Sequence, residues 1–549
     1  MKIRSGFAEN LNKILDKKGY VFLILLASAV LTALTMIFEI MSVFAFVSLA
    51  PLVIILIKRC ENGKKVRSSY GIGFVWSFFF YIVIYHWFWY LWPMDFLGIE
   101  KPLALLITLF CWIGLSLLQA VGTAFVAPLF CLAYKKGRLL MAPFIFASAW
   151  TVLEYMQSLT WMGVPWARLA LSQTVFPAAV QTASLFGSLF IGFIIALVNG
   201  FIAVATVYFV SEGKSSRAAM RFISVALAVV MLNLGYGFLA MAVHNEKKGE
   251  EVTVTVVQGN ISSNDKWADQ SNANALKVYT TLTLAADAKK HADIVVWPET
   301  IITTYVKTSP FYRNDIVKLA KETGSIIFVG ALDNLDVSED ITNEYNAVIA
   351  FFPDGTIEDS SYKKQHLVPF GEYMPMRDIL TLVLPFMTEL NMLEDDLSAG
   401  THSEVLETKF GNIGRLICFD SIYPDLARKS VSDGAQYILL STNDSWYRDS
   451  ASAYQHSSHA VLRAVENRRY VVRAASTGIS AIISSDGEIT DMLDPLTKGY
   501  ITASIHRNTQ RTLYSYVGDI IVLLCVLFIA FLAVKDIFVR RKIAYKPVD

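Results

Sequence analysis

Charged residues are scarce in this sequence. Asp, Glu, Lys and Arg make up 17% of the 549 residues, whereas soluble proteins carry about 25%. The formal net charge is +1, which gives no reason to expect nucleic acid or another polyanion as a partner. Hydrophobic residues take the place of the missing charge. They reach 54%, which is too apolar for an ordinary soluble protein.

Cysteine is also scarce, with five in the whole chain. Cys60, Cys111, Cys131 and Cys525 lie in or beside long apolar segments, whereas Cys418 lies in a polar stretch. A single thiol in a water-soluble region has no partner for an internal disulfide. Such a residue is either a small buried hydrophobic side chain or a nucleophile.

Long apolar runs are abundant, and each approaches or exceeds the roughly 20 residues needed to cross a bilayer. The first is too long for the core of a cleaved signal peptide and lacks a clear cleavage site, so we expect it to be retained. Eight membrane-spanning helices are predicted, at residues 20–38, 40–57, 72–93, 103–134, 139–157, 184–210, 219–243 and 515–534.

Basic residues cluster between alternate apolar runs, and the positive-inside rule places such clusters in the cytoplasm. Eight spans put every cluster on that side. The clusters lie at 2–18, 58–67, 135–138, 214–221 and 535–542. The pattern predicts three parts: a bundle of seven transmembrane helices over 1–245, an extracytoplasmic soluble domain over 246–510, and an eighth helix with a cytoplasmic tail over 511–549.

The predicted soluble domain has about 265 residues, enough to bury a full core by itself. Short β-rich runs alternate with helical periodicity along it, which predicts an α/β or α+β domain with a packed sheet core. Asp354-Gly355 and Asp486-Gly487 are typical of hairpin turns. Strands are predicted at 252–257, 293–296, 326–329, 347–352, 415–418, 437–440 and 470–473, and helices at 271–290, 310–323 and 452–468.

Polar side chains follow several of these strands. Glu299 comes shortly after one, Cys418 ends a second, and Asn443 follows a third. Enzyme sites are commonly assembled in this way from the ends of different segments. With Lys364, the set supplies a carboxylate, an ammonium and a thiol, which are the parts of a cysteine acyl-transfer site.

The order and spacing of three motifs resemble the nitrilase (carbon–nitrogen hydrolase) superfamily with its Glu-Lys-Cys triad. They are Trp297-Pro298-Glu299, Lys364 ahead of Leu367-Val368-Pro369-Phe370-Gly371-Glu372, and Ile417-Cys418-Phe419-Asp420. Nearly the whole chain is similar to the membrane branch of that superfamily, the apolipoprotein N-acyltransferases. The further matches are Val257-Gln258-Gly259-Asn260, Lys266-Trp267, Tyr345-Asn346, Asn443-Asp444-x-Trp446, Trp150-x-x-x-Glu154 and Gly163-Val164-Pro165-Trp166.

The resemblance implies a nitrilase-like αββα sandwich inserted into an eight-helix transmembrane bundle. It also implies the last step of lipoprotein maturation, in which an acyl chain passes from a phospholipid, through an enzyme thioester, to the α-amino group of diacylglyceryl-cysteine. Cys418 would be the nucleophile, Glu299 the general base, and Lys364 the oxyanion stabiliser. The protein would be a monomer in the inner membrane, with a periplasmic catalytic domain, cytoplasmic termini and no cofactor or metal.

Other site residues follow from the same resemblance. Supporting or oxyanion roles would fall to Glu372, Phe419 and Asp420, and substrate binding to Trp267, Asn346, Asn443 and Trp446. The sequence departs from the family pattern at Asp420, where glutamate is usual, at Arg448, where glycine is usual, and at Gln157, where arginine is expected.

The residues leave alternatives open. Glu372 could form a structural ion pair, Trp267 could be a packed aromatic, and Asn346 could be a turn residue. His456 and His459 lie on one helical face, with Glu466 a little further on, and allow a metal site, although packing or surface positions are favoured. The apolar stretch 378–393 is either a core helix or a lid that contacts lipid.

Two other functions compete with acyl transfer. A membrane-tethered nitrilase-like amidase would use the same triad, but it needs one span rather than eight and no apolar lid. A transporter with a receptor domain is disfavoured, because the predicted spans contain few ionisable residues.

Overall fold

The computed structural model describes residues 14–544 apart from 15, 95–98, 136, 160–161, 211–215, 245–248, 263–270, 339–340, 384–395 and 403–404. The chain divides into two compact units. One contains residues 1–86, 110–242 and 519–549, and the other contains 87–109 and 243–518. The second unit therefore includes a short segment, 87–109, that lies in the apolar half of the sequence.

Long apolar helices dominate the first unit, in agreement with a multi-pass membrane protein. Within the described ranges, seven helical stretches are long and apolar enough to cross a membrane, and a shorter apolar helix follows at Ile520–Lys535. The seven stretches are Lys18–Ile37, Glu39–Glu61, Val66–Leu91, Lys101–Ala133, Leu139–Met156, Ser188–Val210 and Ser216–Val243. The helices Ser188–Val210 and Ile520–Ala544 begin later than predicted, and Gly187 and Gly518, which adopt positive φ, lie just before them.

A buried asparagine supports the break inside the second stretch, where the short helix Ala45–Ser48 gives way to the helix Ala50–Glu61. Asn199 Oδ1 accepts from the Leu49 and Ala50 amides at 2.8 and 2.9 Å, and Asn199 Nδ2 donates to the Ala45 carbonyl at 2.8 Å. Backbone groups exposed by a helix break need partners in an apolar environment. The Asn199 side chain alone provides hydrogen-bond partners for three such backbone groups.

Two sheets form the centre of the second unit. Their strands are β1 Glu251–Gln258, β2 Ile294–Val296, β3 Ile302–Tyr305, β4 Ile326–Ser338, β5 Ile341–Phe351, β6 Tyr362–Lys363, β7 Leu406–Thr408, β8 Gly411–Ile417, β9 Tyr437–Thr442, β10 Val471–Ala475, β11 Ser480–Ile483, β12 Ile489–Leu493 and β13 Gly499–His506. One sheet has the order β13-β1-β2-β4-β5-β6, with β3 beside β4, and the other has the order β12-β11-β10-β9-β8-β7. β1, β2 and β4 are parallel, as are β8, β9 and β10.

The sheets pack face to face between two layers of helices. The central core joins side chains of both sheets, such as Val254 and Phe328 with Leu439 and Val472. A second core lies between the first sheet and the helices Ser271–Asp287 and Pro310–Thr323. A third lies between the second sheet and the helices Pro424–Ser432 and Ala451–Asn467. The expected αββα sandwich is confirmed.

Local sequence signals set the element boundaries. Pro310 begins its helix, where a missing N–H costs nothing, and Gly324 ends it in the left-handed conformation. The expected turn glycines, Gly355 and Gly487, both adopt positive φ. The three helices predicted in this domain are present, with ends within three residues of the expected ones.

Candidate active site

The Glu299 carboxylate is carried by a loop that leaves β2 and packs closely on β4. The Trp297 amide donates to the Phe328 carbonyl at 2.9 Å, so the loop continues the ladder for one residue beyond the strand. The loop then passes over Gly330, where a Cβ atom would stand 2.1 Å from the Pro298 carbonyl oxygen. Only glycine allows this approach, which turns the Glu299 side chain into the site.

Lys364 lies at the centre of the site and is 1% exposed. Its Nζ is 2.8 Å from Glu299 Oε1 and 2.8 Å from Glu372 Oε2. Burial alone would lower the pKa of Lys364, but the two carboxylates raise the pKa well above its usual value. The ammonium therefore stays charged. It has three N–H donors, and they face three carboxylate oxygens, Glu299 Oε1 and both oxygens of Glu372.

Asn346 and Asn443 both orient the Glu299 carboxylate. Asn346 Nδ2 donates to Glu299 Oε1 at 2.7 Å and to Glu372 Oε1 at 2.8 Å. The backbone amide of Asn443 donates to Glu299 Oε2 at 2.7 Å. Both residues were expected to bind substrate. The contacts described here give them a positioning part, and a contact with substrate stays a prediction.

Cys418 begins a tight helical turn, Cys418–Ile422, directly after β8, with φ of +47°. Left-handed backbone at a non-glycine residue is rare and typical of functional sites. Burial raises the pKa of the Cys418 thiol and Glu299 adds to the effect, whereas Lys364 and a hydrogen bond with Thr442 lower it. The net direction is upward, so the thiol is protonated at rest and its reaction requires a base.

Asp420 ties the nucleophile turn to the segment that carries Lys364. Its Oδ1 accepts from the Gln365 and His366 amides at 3.2 and 2.8 Å. Its Oδ2 accepts from the Tyr362 hydroxyl at 3.0 Å and from the Ile417 amide at 3.1 Å. The aspartate, shorter than the glutamate usual in the family, has its carboxylate within reach of four donors.

Burial raises the pKa of Asp420 to about 7. Its folded pKa then exceeds its unfolded value of about 3.9, so its contribution to stability is present at low pH and is lost as pH rises toward 7. We expect Asp420→Asn to remove this part of the pH dependence. Thermal unfolding of the purified protein between about pH 4 and pH 8 measures it, and equal slopes in wild type and variant would contradict the assignment.

The remaining predicted residues lie around these groups or outside the described part of the chain. Phe419 is buried and follows Cys418 in the turn, and Trp446 is half-buried in the loop after β9. Trp267 lies outside the described residues. So does most of the predicted lid, 378–393, of which the described helix Arg377–Val383 leaves Leu382 82% exposed.

A buried ionic network beneath Cys418 was not predicted from the sequence. His456 Nδ1 is 2.8 Å from Asp444 Oδ1, and Asp444 Oδ2 is 2.7 Å from an Arg473 guanidinium nitrogen. Asp444 was named only as part of a matching motif, and His456 was expected to be a packing or surface residue or a metal ligand. A signal was present in the sequence, since an aspartate in a buried segment needs a cation.

Two departures from the family pattern are visible in the structure. Arg448 adopts φ of +46°, the region that favours the glycine usual at this position. In the membrane unit, the Gln157 amide contacts the Tyr81 hydroxyl, the Thr123 hydroxyl and Gln119 Oε1. An uncharged polar cluster therefore occupies the place where the family pattern has arginine.

Comparison with protein families divides the chain at nearly the same place as its composition. Residues 28–201 match the model of the apolipoprotein N-acyltransferase N-terminal domain. Residues 253–514 match the carbon-nitrogen hydrolase model. Both halves of the expected resemblance are thereby confirmed.

Curated relatives match over nearly the full length. Apolipoprotein N-acyltransferase of Geobacter metallireducens is 30% identical, over 92% of this chain and 93% of the relative. The enzyme of the same name from Gloeobacter violaceus is 30% identical over 87% of this chain and 86% of the relative. Among solved structures, Saccharomyces cerevisiae Nit3, a member of branch 10 of the nitrilase superfamily, aligns with a TM-score of 0.37 and 21% identity, covering 48% of this chain and 92% of Nit3.

Proposed function

We propose that this chain, which belongs to the apolipoprotein N-acyltransferase family, takes its acyl chain from a membrane phospholipid and carries it as a thioester on Cys418. The observation that carries the proposal is the Lys364 ammonium, held between Glu299 and Glu372 beside a buried thiol. This set supplies a nucleophile, a base and an oxyanion donor in one place.

In the first step Glu299 accepts the thiol proton while the Cys418 sulfur attacks the ester carbonyl carbon of the phospholipid. The Lys364 ammonium and the backbone N–H of Phe419 stabilise the oxyanion of the tetrahedral intermediate. Collapse of the intermediate breaks the ester C–O bond, and protonated Glu299 returns its proton to the departing alkoxide. The products are the thioester and a lysophospholipid.

In the second step the free α-amino group of a diacylglyceryl-cysteine attacks the thioester carbonyl. Glu299 accepts a proton from the amine, and the same two donors stabilise the second oxyanion. Collapse breaks the C–S bond and releases the amide. The proton then passes from Glu299 to the Cys418 sulfur, which restores the resting enzyme with all atoms and charges balanced.

The placement of the enzyme follows from its charge pattern. The basic clusters on one side of the apolar runs support an inner-membrane protein with cytoplasmic termini and a periplasmic catalytic domain. Such a placement gives the thiol access to phospholipid of the outer leaflet. We propose that the protein acts as a monomer, because one chain supplies every group used in the two steps.

The amidase alternative is not favoured. Its triad chemistry would be the same, but the family match covers the apolar helices as well as the hydrolase domain. An enzyme that acts on a water-soluble amide does not need several apolar helices. A lipid donor and a lipid-anchored acceptor explain both parts of the chain.

Mass spectrometry of the full-length protein in detergent tests the proposal. Incubation with a phospholipid that carries palmitoyl chains is expected to add one palmitoyl group to Cys418. A diacylated lipopeptide with a free amine should discharge it, whereas the N-acetylated lipopeptide should not. Cys418→Ala is the control for the modified residue.

Two results would overturn the proposal. Absence of an adduct on Cys418 with every phospholipid tested would remove the lipid donor and the thioester. Loss of the adduct to water at the same rate with and without the free-amine lipopeptide would indicate a hydrolase.

A further inference from the structure

We propose that His456 is a positioning residue that fixes the peptide group following the nucleophile, so that the Phe419 N–H points at the reacting carbonyl oxygen. The inference rests on the proposed function, because it concerns the oxyanion of the thioester chemistry. It assigns to a buried histidine outside the Glu-Lys-Cys set a part in both chemical steps.

The carbonyl oxygen of Cys418 points away from the reacting side and into the protein. It accepts from the Ser421 hydroxyl at 2.7 Å and lies 3.1 Å from His456 Nε2. Among the described residues the one cis peptide is Trp92–Pro93, so the peptide joining Cys418 and Phe419 is trans. The N–H of a trans peptide points opposite to its C=O. Fixing this carbonyl therefore fixes the direction of the Phe419 N–H.

The His456 ring is held in place on its Nδ1 side. Its Nδ1 lies 2.8 Å from Asp444 Oδ1 and 3.2 Å from an Arg473 guanidinium nitrogen, and Asp444 binds Arg473 at 2.7 Å. Burial would raise the pKa of Asp444, but Arg473 and His456 outweigh burial and lower it. Asp444 is therefore an ionised acceptor that faces both His456 and Arg473. Gly478 makes room for the carboxylate, because a Cβ there would stand 2.2 Å from Asp444 Oδ2.

The neighbours of Nε2 indicate that this nitrogen carries a proton. The Cys418 carbonyl, at 3.1 Å, is an acceptor only, and the Ser421 hydroxyl, at 3.0 Å, donates to that same carbonyl. Both neighbours present lone pairs to the ring, and an N–H satisfies them. Nε2 of His456 thus donates to the backbone of the nucleophile, while Nδ1 lies against Asp444 and Arg473.

The hydrogen bond from His456 acts on a strained backbone position. Cys418 has φ of +47°, and the left-handed conformation is unfavourable for a non-glycine residue. Without this hydrogen bond the turn can lower its energy by rotating the Cys418–Phe419 peptide, which would turn the Phe419 N–H away from the oxyanion. The thiol would remain in place, because β8 and Thr442 hold it independently.

Comparing the acylation of Cys418 with its alkylation separates a positioning role of His456 from a merely structural one. Acylation by phospholipid passes through an oxyanion, whereas alkylation of the thiol by iodoacetamide does not. We expect His456→Asn to slow acyl-enzyme formation by about 10²-fold, the scale of losing one oxyanion donor. The phospholipid concentration for half-maximal rate and the alkylation rate should be unchanged.

Three further variants test whether the effect of His456→Asn comes from the lost hydrogen bond to the Cys418 carbonyl. His456→Gln, whose amide nitrogen can reach the place of Nε2, should recover part of the acylation rate. Ser421→Ala removes the other donor to the Cys418 carbonyl and should show the same selective loss of acylation. It therefore tests the proposal even if His456→Asn fails to fold. His459→Asn is the matched control, a buried histidine on the same helix, and should leave the ratio of acylation to alkylation unchanged.

The outcomes are distinct from those that test the proposed function. Equal losses of acylation and alkylation in His456→Asn would show that the histidine only supports the fold, and unchanged acylation would show that it has no part. Either result overturns this inference while the wild-type adduct stands. Absence of the wild-type adduct would instead overturn the proposed function.

Discussion

Replacing Glu299 by glutamine is expected to lower the rate of acyl-enzyme formation by about 10⁴-fold, the upper end of the contribution of a positioned general base. The carboxylate accepts from Lys364 and Asn346 at one oxygen and from the Asn443 amide at the other. Glutamine has one acceptor oxygen, so its NH₂ must face donors and no basic oxygen remains for the thiol proton. Because burial raises the pKa of Cys418, the thiol then stays protonated.

Glu372→Gln is the matched control for this loss. It removes the same charge from the same ammonium, since Glu372 also contacts Lys364 and Asn346. If proton transfer through Glu299 sets the rate, the control loses far less activity. The adduct measured by mass spectrometry and the rate of alkylation by iodoacetamide should both fall in Glu299→Gln. An unchanged adduct yield there would remove Glu299 from the base role, and equal losses in both variants would assign the effect to charge around Lys364.

Most strands and helices of the catalytic domain could be predicted from the sequence, whereas the αββα layering was implied by the resemblance. The alternating run at 252–257 and the apolar runs at 437–440 and 470–473 became β1, β9 and β10. These segments are short and buried, and their hydrophobic pattern decides their structure. The motif residues Glu299, Lys364 and Cys418 could be named because the order and spacing of their motifs resemble the nitrilase superfamily.

The extended hairpin of β4 and β5 could not be predicted in full. The apolar parts, 326–329 and 347–352, were expected as strands, but β4 continues to Ser338 and β5 begins at Ile341. The intervening residues are polar, as in Asp333, Asn334 and Glu344. Their strand structure comes from pairing with each other, with Asp333 opposite Tyr345 and Asn334 opposite Glu344. Pairing of this kind overrides the weak local preference of polar residues.

The support beneath the nucleophile was missed for a different reason. His456, Arg463 and Glu466 lie on one buried face of the helix Ala451–Asn467. A polar face normally indicates solvent, and only the partners reveal that this one is internal. Arg463 pairs with Glu466 at 2.7 Å on the same helix, whereas His456 reaches Asp444 in a loop and Cys418 in another. Pairs between separate segments leave no periodic signal in one sequence.

Replacing Lys364 by methionine is expected to damage both stability and catalysis, by separable causes. The change leaves the Glu299 and Glu372 carboxylates buried without their shared cation, and breaking a buried ion pair costs about 3–5 kcal/mol. One of the two carboxyls must then bind a proton, so the variant should be more stable at low pH and lose stability as pH rises. Loss of the oxyanion donor should lower acyl-enzyme formation by about 10³-fold.

The double variant Lys364→Met/Glu372→Gln separates these two effects. It removes one of the uncompensated charges, so thermal unfolding should recover much of the lost stability and most of the added pH dependence, a coupling that a double-mutant cycle measures. The acyl-enzyme should not recover, because no N–H has been returned to the oxyanion. Recovery of activity together with stability would show that Lys364 only balances charge, and would leave the Phe419 N–H as the donor on which both steps depend.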